Sequence, residues 1–333
     1  MLYQRADEMD GNTSTCATSY AGKAYMSSGQ IDFLVAYDII IGILNFIFNF
    51  LVIASLLITR QTGNPSLKLI LLLSISDCCI AIIVQPLFAV MLLKYPSTQN
   101  CAFEMVMQFL GIFFTHTSAY IIALIGFDRY ARVKFLTRYS EVMKEGRVKK
   151  AVVGMVLLSF IQGAIYVIGT LLEIFKKIKQ VAIAIDIIII LLVVISTIMG
   201  VRAVRKHRKN IENQSMMEDV DKTMTSLASK ILLTIVIFYI VYIVIVVVHT
   251  LQAKNASAVT RGWLEFALFI GYLLAYTNSL VNALIFLSFN NKTQNTLREF
   301  AIRYRRRQIG ISSNCEINVS IDVSQHNISD QQL

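Results

Sequence analysis

Seven long apolar runs constrain the fold of this chain more than any other feature. Each run is about as long as the 20 residues that a helix needs to cross the hydrocarbon core of a bilayer. Several stretches, such as residues 187–195, are apolar on every helical face, unlike an amphipathic surface helix. The runs cover residues 34–58, 67–93, 102–127, 151–172, 181–201, 231–251 and 263–287. They predict an all-α membrane protein built as a bundle of seven transmembrane helices.

The composition favours the same class of protein. Hydrophobic residues make up 56% of the 333 residues and charged residues only 16%, whereas an average soluble domain is nearer a quarter charged. The four His residues are too scattered for a zinc site, and no nucleophile–base pattern stands out. We therefore expect neither an ordinary water-soluble enzyme nor a membrane-bound hydrolase.

The net charge of +10 is distributed unevenly over the connections between the runs. Of the 31 Lys and Arg residues, 23 lie on one side of the predicted bundle and 8 on the other. The positive-inside rule then places the N-terminus outside the cell and the C-terminus in the cytoplasm. The positive charge faces the inner membrane surface, so it does not indicate nucleic-acid binding. We expect an extracellular tail at 1–33, the bundle at 34–287, an amphipathic eighth helix at 288–307 and a disordered tail at 308–333.

Polar residues inside the apolar runs mark a candidate ion site. Asp77 lies near the middle of the second run and Ser118 in the middle of the third. Asn278, Ser279 and Asn282 share one face of the seventh run, because they are three or four residues apart. A buried carboxylate among hydroxyls and amides suits a small hard cation or a proton. The alternative is that these groups only hydrogen-bond the helices to one another.

An acidic residue and a basic residue are adjacent at the end of the third run, in the tripeptide Asp128-Arg129-Tyr130. On its own, this tripeptide is as compatible with a simple ion pair at the membrane surface as with a functional site. The residues around it add Val133 and Tyr139 in the connection that follows.

Together these motifs resemble the rhodopsin-like (class A) G-protein-coupled receptors over about residues 30–307. The resemblance is carried by Asn49, by the Leu-rich run ending in Asp77, by Ser118, by the segment from Asp128 to Tyr139 and by residues 278–286. It implies that Asp128 holds Arg129 in the resting state. It also implies that helix six moves outward on activation and opens a cleft for a heterotrimeric G protein. In this family the Asp77, Ser118, Asn278, Ser279 and Asn282 positions form an allosteric sodium site, and no other cofactor is expected.

The chain departs from the family pattern in the switch elements. Ala283 and Phe286 replace the proline and tyrosine of the last motif, and Phe238 and Tyr242 stand where the family has a Phe and a Trp. Proline is absent from the fourth, fifth and sixth runs, so helix kinks that assist switching are not assured. Divergent, constitutive or silent signalling all remain open.

The residues outside the bundle allow modifications typical of a plasma-membrane protein. Asn12 and Asn255 lie in glycosylation sequons on the predicted outer side. The family disulfide is not reproduced, because the connection at 172–180 has no Cys. A bond between Cys16 and Cys101 and two free thiols are both compatible with the sequence.

The ligand is constrained mainly by exclusion. Gly111 occupies the position of the Asp that binds biogenic amines, and Tyr276 that of the Lys that binds retinal in the family. A peptide or another small molecule is therefore expected. Candidate contacts in the outer halves of the helices are Gln85, Glu104, Gln108, Thr115, His116, Asp186, His249 and Tyr276. Asp186 could pair with a cationic ligand, or with His249 or Lys179; the two histidines also suit structural hydrogen bonds.

A transporter or proton carrier is the main alternative, with Asp77 and Asp186 as relay carboxylates in the membrane. Internal repeats and helices broken by Gly or Pro, which are typical of transporters, are not evident. For a receptor, the long inner loop and the Ser residues of the tail suit kinases and arrestin. The basic and apolar residues of 290–307 suit inner-leaflet lipid.

Overall fold

The computed structural model describes residues 26–60, 65–94, 101–135, 138–171 and 257–289 continuously. It also describes scattered residues within 181–202, 234–252 and 293–302. Its regular structure in these ranges is helical, with no β-strand. The predicted all-α class is confirmed for this part of the chain. The predicted eighth helix stays a prediction, since most of its residues lie outside the described ones.

Five helices in the described ranges are long and apolar enough to cross a membrane. They correspond to predicted spans one, two, three, four and seven. Spans five and six lie largely outside the described residues, apart from the apolar helix Ile240–His249. The helices are α1 (Ser28–Ile58), α2 (Pro65–Cys79) with a π-helical turn (Ile80–Val84) and α3 (Gln85–Leu93), α4 (Cys101–Lys134), the short α5 (Tyr139–Val142), α6 (Glu145–Leu171) and α7 (Ala258–Phe289).

The helices extend beyond the apolar runs that predict them. α1 begins at Ser28 because Ser27 forms a capping box: its hydroxyl accepts a hydrogen bond from the Gln30 amide, and the Gln30 side chain accepts one from the Ser27 amide. Ser257 caps α7 by accepting from the amide of Thr260. Polar caps thus start these helices outside the hydrophobic segment, so the helices are longer than the apolar runs.

The second span contains a π-helical turn between α2 and α3. The amide of Gln85 donates to the carbonyl of Ile80, five residues earlier, and Pro86 follows. Proline has no amide hydrogen and its ring crowds the preceding turn, so the helix accommodates it by widening. This part of the span lies close to α1, because a Cβ on Gly42 would be 3.4 Å from Gln85 Nε2.

The bundle has two ends, which we name by their residues. The inner end holds the C-terminus of α1 and Asp128 of α4, and the outer end holds the N-termini of α1 and α7. A cluster of buried apolar residues packs each half, with Leu73 and Ile122 in the inner one and Leu34 and Phe88 in the outer one. The exposed face of α1 is also apolar, as contact with lipid requires; it includes Ile39, Ile40, Ile43, Phe46, Ile47 and Phe50.

Helices α4 and α6 approach each other closely at Gly163. A Cβ at this position would lie 2.8 Å from Cδ2 of Phe109 and 3.2 Å from its carbonyl oxygen. The absence of a side chain therefore sets the distance between the two helices. A Cβ on Gly154, which belongs to the same helix, would have nothing within 4 Å.

These two glycines give a matched test of helix packing. Gly163→Ala should lower the thermal midpoint of the purified protein, because overpacking of a close contact costs about 1–3 kcal/mol. Gly154→Ala should leave the midpoint unchanged or raise it, since alanine favours the helix by about 1 kcal/mol. Equal midpoints for the two variants would show that α4 and α6 do not pack as described.

Candidate functional site

The Asp128 carboxylate is fully buried at the inner end of the bundle and is bonded from three elements. Arg129 Nη2 lies 2.9 Å from Asp128 Oδ2. The hydroxyl of Ser66, at the start of α2, donates to the same oxygen at 2.7 Å. The phenol of Tyr139, on α5, donates to Asp128 Oδ1 at 2.6 Å. Asp128 therefore joins α2, α4 and α5 while it neutralises the buried Arg129.

Tyr139 is itself held over α4. Arg132 Nη2 donates to the Tyr139 hydroxyl at 3.2 Å, and the guanidinium lies 4.5 Å from the centre of the phenol ring. Burial, followed by the negative charge of Asp128, raises the pKa of the Tyr139 phenol above its usual range. The phenol is thus kept protonated, as donation to Asp128 requires.

The polar residues predicted around Asp77 come together in the middle of the bundle. The hydroxyls of Ser118 on α4 and Ser279 on α7 both donate to Asp77 Oδ1, each at 2.9 Å. Asp77, Asn278 and Asn282 are all buried. The carboxylate of α2 is therefore tied to two other helices through one of its oxygens.

Several buried oxygens near this carboxylate are left without a hydrogen-bond donor. In the described ranges, Asp77 Oδ2 has no partner, and neither do the side-chain oxygens of Asn49, Asn278 and Asn282. Buried polar atoms without a partner are rare in native proteins and call for an explanation. A set of carboxylate and amide oxygens matches the ligands that a hard cation prefers. The donor set of the predicted sodium site thus fits such an ion.

A further polar group, which was not among the predicted site residues, lies inside the bundle. Asp38 of α1 is only 1% exposed. Gln85 Nε2 lies 3.3 Å from both Asp38 Oδ1 and the Asp38 carbonyl oxygen, and Asn45 Nδ2 donates to Gln85 Oε1 at 3.3 Å. Asp38 is therefore a buried polar residue that the sequence interpretation missed. The signal for it was present, since Asp38 interrupts an apolar run and Asn45 lies one turn before Asn49.

The structure describes some of the predicted switch residues in more detail than others. Asn282 and Phe286 are buried in α7, and the Tyr130 ring is half-buried beside Phe127. Tyr242 packs against α7, with its ring centroid 5.7 Å from that of Tyr272. Phe238 is helical and partly buried, and the side chain of Val133 lies outside the described part.

The predicted ligand contacts that the structure describes lie on α3, α4, α7 and the helix Ile240–His249. Gln85 and Tyr276 are buried between α1, α3 and α7, whereas Glu104 and Gln108 lie one turn apart on α4. His116 faces α6, because its Nδ1 lies 2.8 Å from Gln162 Oε1. The remaining candidates are the half-buried Thr115 of α4, His249 at the end of the helix Ile240–His249, and Asp186, which lies outside the described residues.

The predicted modification sites lie beyond the described structure. Asn12, Cys16 and Asn255 fall outside the described residues, as does the side chain of Cys101. The glycosylation sites and the choice between a disulfide and free thiols therefore stay predictions.

Comparison with known families decides the class to which this bundle belongs. Residues 48–286 match the family described as "7 transmembrane receptor (rhodopsin family)", which is more than half of the chain. The chain belongs to this family. The receptor is therefore a multi-pass membrane protein of the rhodopsin-like class, as the resemblance indicated. The transporter alternative is not favoured, and the family is a class of receptors rather than of enzymes.

A curated relative agrees with this assignment. The adenosine receptor A3 of Bos taurus is 30% identical to this receptor over 129 residues. The aligned part covers 39% of this chain and 40% of the relative. The receptor thus matches less than half the length of that protein.

The hydrogen bond between Tyr139 and Asp128 can be tested by stability. Tyr139→Phe removes a bond to a charged acceptor, so the free energy of unfolding should fall by about 1.5–3 kcal/mol. The control is Tyr37→Phe, which removes a bond between the uncharged Tyr37 and Thr277 hydroxyls at 3.1 Å and should cost about 0.5–1.5 kcal/mol.

The pH dependence of the same bond follows from the raised pKa of Tyr139. A phenol whose pKa is raised on folding contributes stability that is fully present below its unfolded pKa of about 10 and is lost only as the pH rises through the folded value. The difference in thermal midpoint between wild type and Tyr139→Phe should therefore be constant from about pH 6 to pH 9. A difference that disappears within this range would contradict the described bond.

Proposed function

We propose that this chain is a plasma-membrane receptor that couples an extracellular ligand to a heterotrimeric G protein. The inner end of the bundle then faces the cytoplasm, in agreement with the excess of basic residues in the connections on that side. The buried ion pair of Arg129 and Asp128 is the observation that carries the proposal. An ion pair that only anchored a helix at the membrane surface would not need enclosure by two further elements.

The proposed mechanism is the release of Arg129. In the resting state Asp128 neutralises Arg129, and the hydroxyls of Ser66 and Tyr139 stabilise the carboxylate. Outward movement of helix six opens the inner end, and the guanidinium then leaves Asp128 to line the cleft that receives the G protein. Tyr242 contacts Tyr272 and approaches Gly271 of α7, so it is placed to sense where helix six lies relative to α7.

The ligand class that we propose is a small molecule or a peptide, bound from the outer end. A monoamine and retinal are disfavoured by Gly111 and Tyr276. Adenosine is the first compound to test, because the relative is an adenosine receptor. Kinases, arrestin and inner-leaflet lipid are further proposed partners of the inner loops and the tail.

We also propose that Na⁺ binds at Asp77 and stabilises the resting state. Asp77 and the unpartnered oxygens of Asn278 and Asn282 would hold the ion. When bound, the ion supplies the positive charge that the buried carboxylate lacks. Ser118 and Ser279 then keep α4 and α7 at a fixed distance from α2 by donating to Asp77.

The coupling proposal can be tested without knowing the ligand. Asp128→Asn weakens the hold on Arg129, so basal nucleotide exchange on at least one G protein of a purified panel should rise about tenfold, the equivalent of about 1.4 kcal/mol. Adding Arg129→Ala should abolish this exchange, because the freed guanidinium is the proposed contact.

Arg138→Ala is the matched control for that experiment, since Arg138 is exposed in the same connection. It should leave exchange unchanged in the Asp128→Asn background. Exchange that survives Arg129→Ala but is lost in Arg138→Ala would overturn the assigned role.

The sodium proposal predicts an ion-specific inhibition. Replacing N-methyl-D-glucamine by Na⁺ at constant ionic strength should reduce basal exchange in wild type but not in Asp77→Asn. Ser76→Ala should behave like wild type, because the Ser76 hydroxyl donates to the carbonyl of Phe114 rather than to Asp77. If basal exchange depends on sodium equally in wild type and in Asp77→Asn, the proposed sodium site is contradicted.

A further inference from the structure

Asp38 has the weakest compensation of the three buried aspartates Asp38, Asp77 and Asp128 of the described bundle. It lies in the outer half of α1, and an ionised side chain in the apolar part of a membrane helix is costly unless it is paired. Its contacts with Gln85 are both 3.3 Å, which is longer than an ordinary N–H···O hydrogen bond. Asp38 Oδ2 is buried and has no partner among the described residues.

The other two buried aspartates have closer partners. Asp128 has the Arg129 guanidinium at 2.9 Å and two hydroxyl donors within 2.7 Å. Asp77 has two hydroxyl donors at 2.9 Å. Asp38 has one amide donor, and no Lys, Arg or His in the described ranges forms an ion pair with it. A buried carboxylate in this state is neutralised either by a proton or by a bound cation.

A cluster of aromatic rings begins beside this site at Tyr276. The Tyr276 phenol is within electrostatic range of Asp38. Its ring centroid is 5.7 Å from that of Phe88 in an edge-to-face arrangement, and Phe88 contacts Tyr272 and Phe269 in the same way, at 6.1 and 5.9 Å. A carboxylate beside aromatic rings is the environment that small monovalent cations, ammonium groups in particular, prefer.

A chain of hydrogen bonds leads from Asp38 to the middle of the bundle. Gln85 joins Asp38 to Asn45, and Asn49 Nδ2 donates to Asn45 Oδ1 at 2.7 Å. Asn49 Nδ2 also lies 3.4 Å from the carbonyl oxygen of Ser279, whose hydroxyl donates to Asp77. Members of such a network polarise one another, so a charge bound at one end is felt at the other.

We propose that Asp38 is a second cation site of this receptor, in the outer half of the bundle between α1, α3 and α7. It takes a small monovalent cation, either Na⁺ from solution or the ammonium group of a ligand. Gln85 and Asn45 position the carboxylate and connect it to Asp77. The proposal concerns ion binding and does not rest on G-protein coupling.

The test measures the thermal midpoint of the purified full-length receptor. N-methyl-D-glucamine is replaced by Na⁺ or by methylammonium at constant ionic strength, in the Asp77→Asn background so that the central site is removed. We expect at least one of the two cations to raise the midpoint by about 2–4 °C at saturation. Stabilisation by Na⁺ identifies the solution ion as the occupant, and stabilisation by methylammonium alone identifies a ligand ammonium group.

Adding Asp38→Asn to this background should abolish the stabilisation, whereas Asp32→Asn should preserve it, because Asp32 is exposed six residues earlier in α1. If the variant with Asp38→Asn does not fold, Gln85→Leu serves instead and should weaken cation binding at least several-fold. The proposal is overturned if neither cation stabilises the Asp77→Asn receptor. It is also overturned if the stabilisation survives Asp38→Asn or is unaffected by Gln85→Leu. If a proton rather than a cation neutralises Asp38, neither cation will stabilise the Asp77→Asn receptor.

Discussion

The structure depends on how a bundle surrounded by lipid satisfies the carboxylates that are buried between its helices. The hydrocarbon core offers no hydrogen bonds, so each buried polar group must find its partners in other helices. Asp77 does so through the hydroxyls of Ser118 and Ser279, which draw α4 and α7 to α2. Apolar packing alone would not specify which helices meet at this depth, because lipid tails are as apolar as the side chains.

The same requirement recurs at three depths of the bundle. Asp38 lies in the outer half, Asp77 in the middle and Asp128 at the inner end, and all three are buried. The hydrogen-bond chain through Gln85 and Asn49 joins the first two. In the proposed receptor these three carboxylates would serve ligand or ion binding, sodium binding and the hold on Arg129. A conformational change that alters Asp38 or Asp77 can then act on the other carboxylate through this chain.

The sequence predicts the five described spans well, because their length and hydrophobicity are set by the bilayer itself. The group around Asp77 could also be predicted, since residues 278, 279 and 282 share one face of a helix. Asp38 was missed because it lies only four residues inside its apolar run, near the end of the span, where a charged side chain is less unusual than in the middle. The contact of His116 with Gln162 was beyond prediction, because it depends on the rotation of α4 relative to α6. The ends of α1 and α7 depend on polar caps rather than on hydrophobicity.

The central claim is that sodium at Asp77 and a G protein at Arg129 stabilise opposite states of one bundle. Linkage then requires each to weaken the binding of the other by the same factor. The most direct measurement is the dissociation constant of Na⁺ for the purified receptor, by sodium NMR, with and without a bound nucleotide-free G protein. The account predicts that the dissociation constant rises about fivefold or more when the G protein is bound. The same sodium affinity in both samples would contradict it.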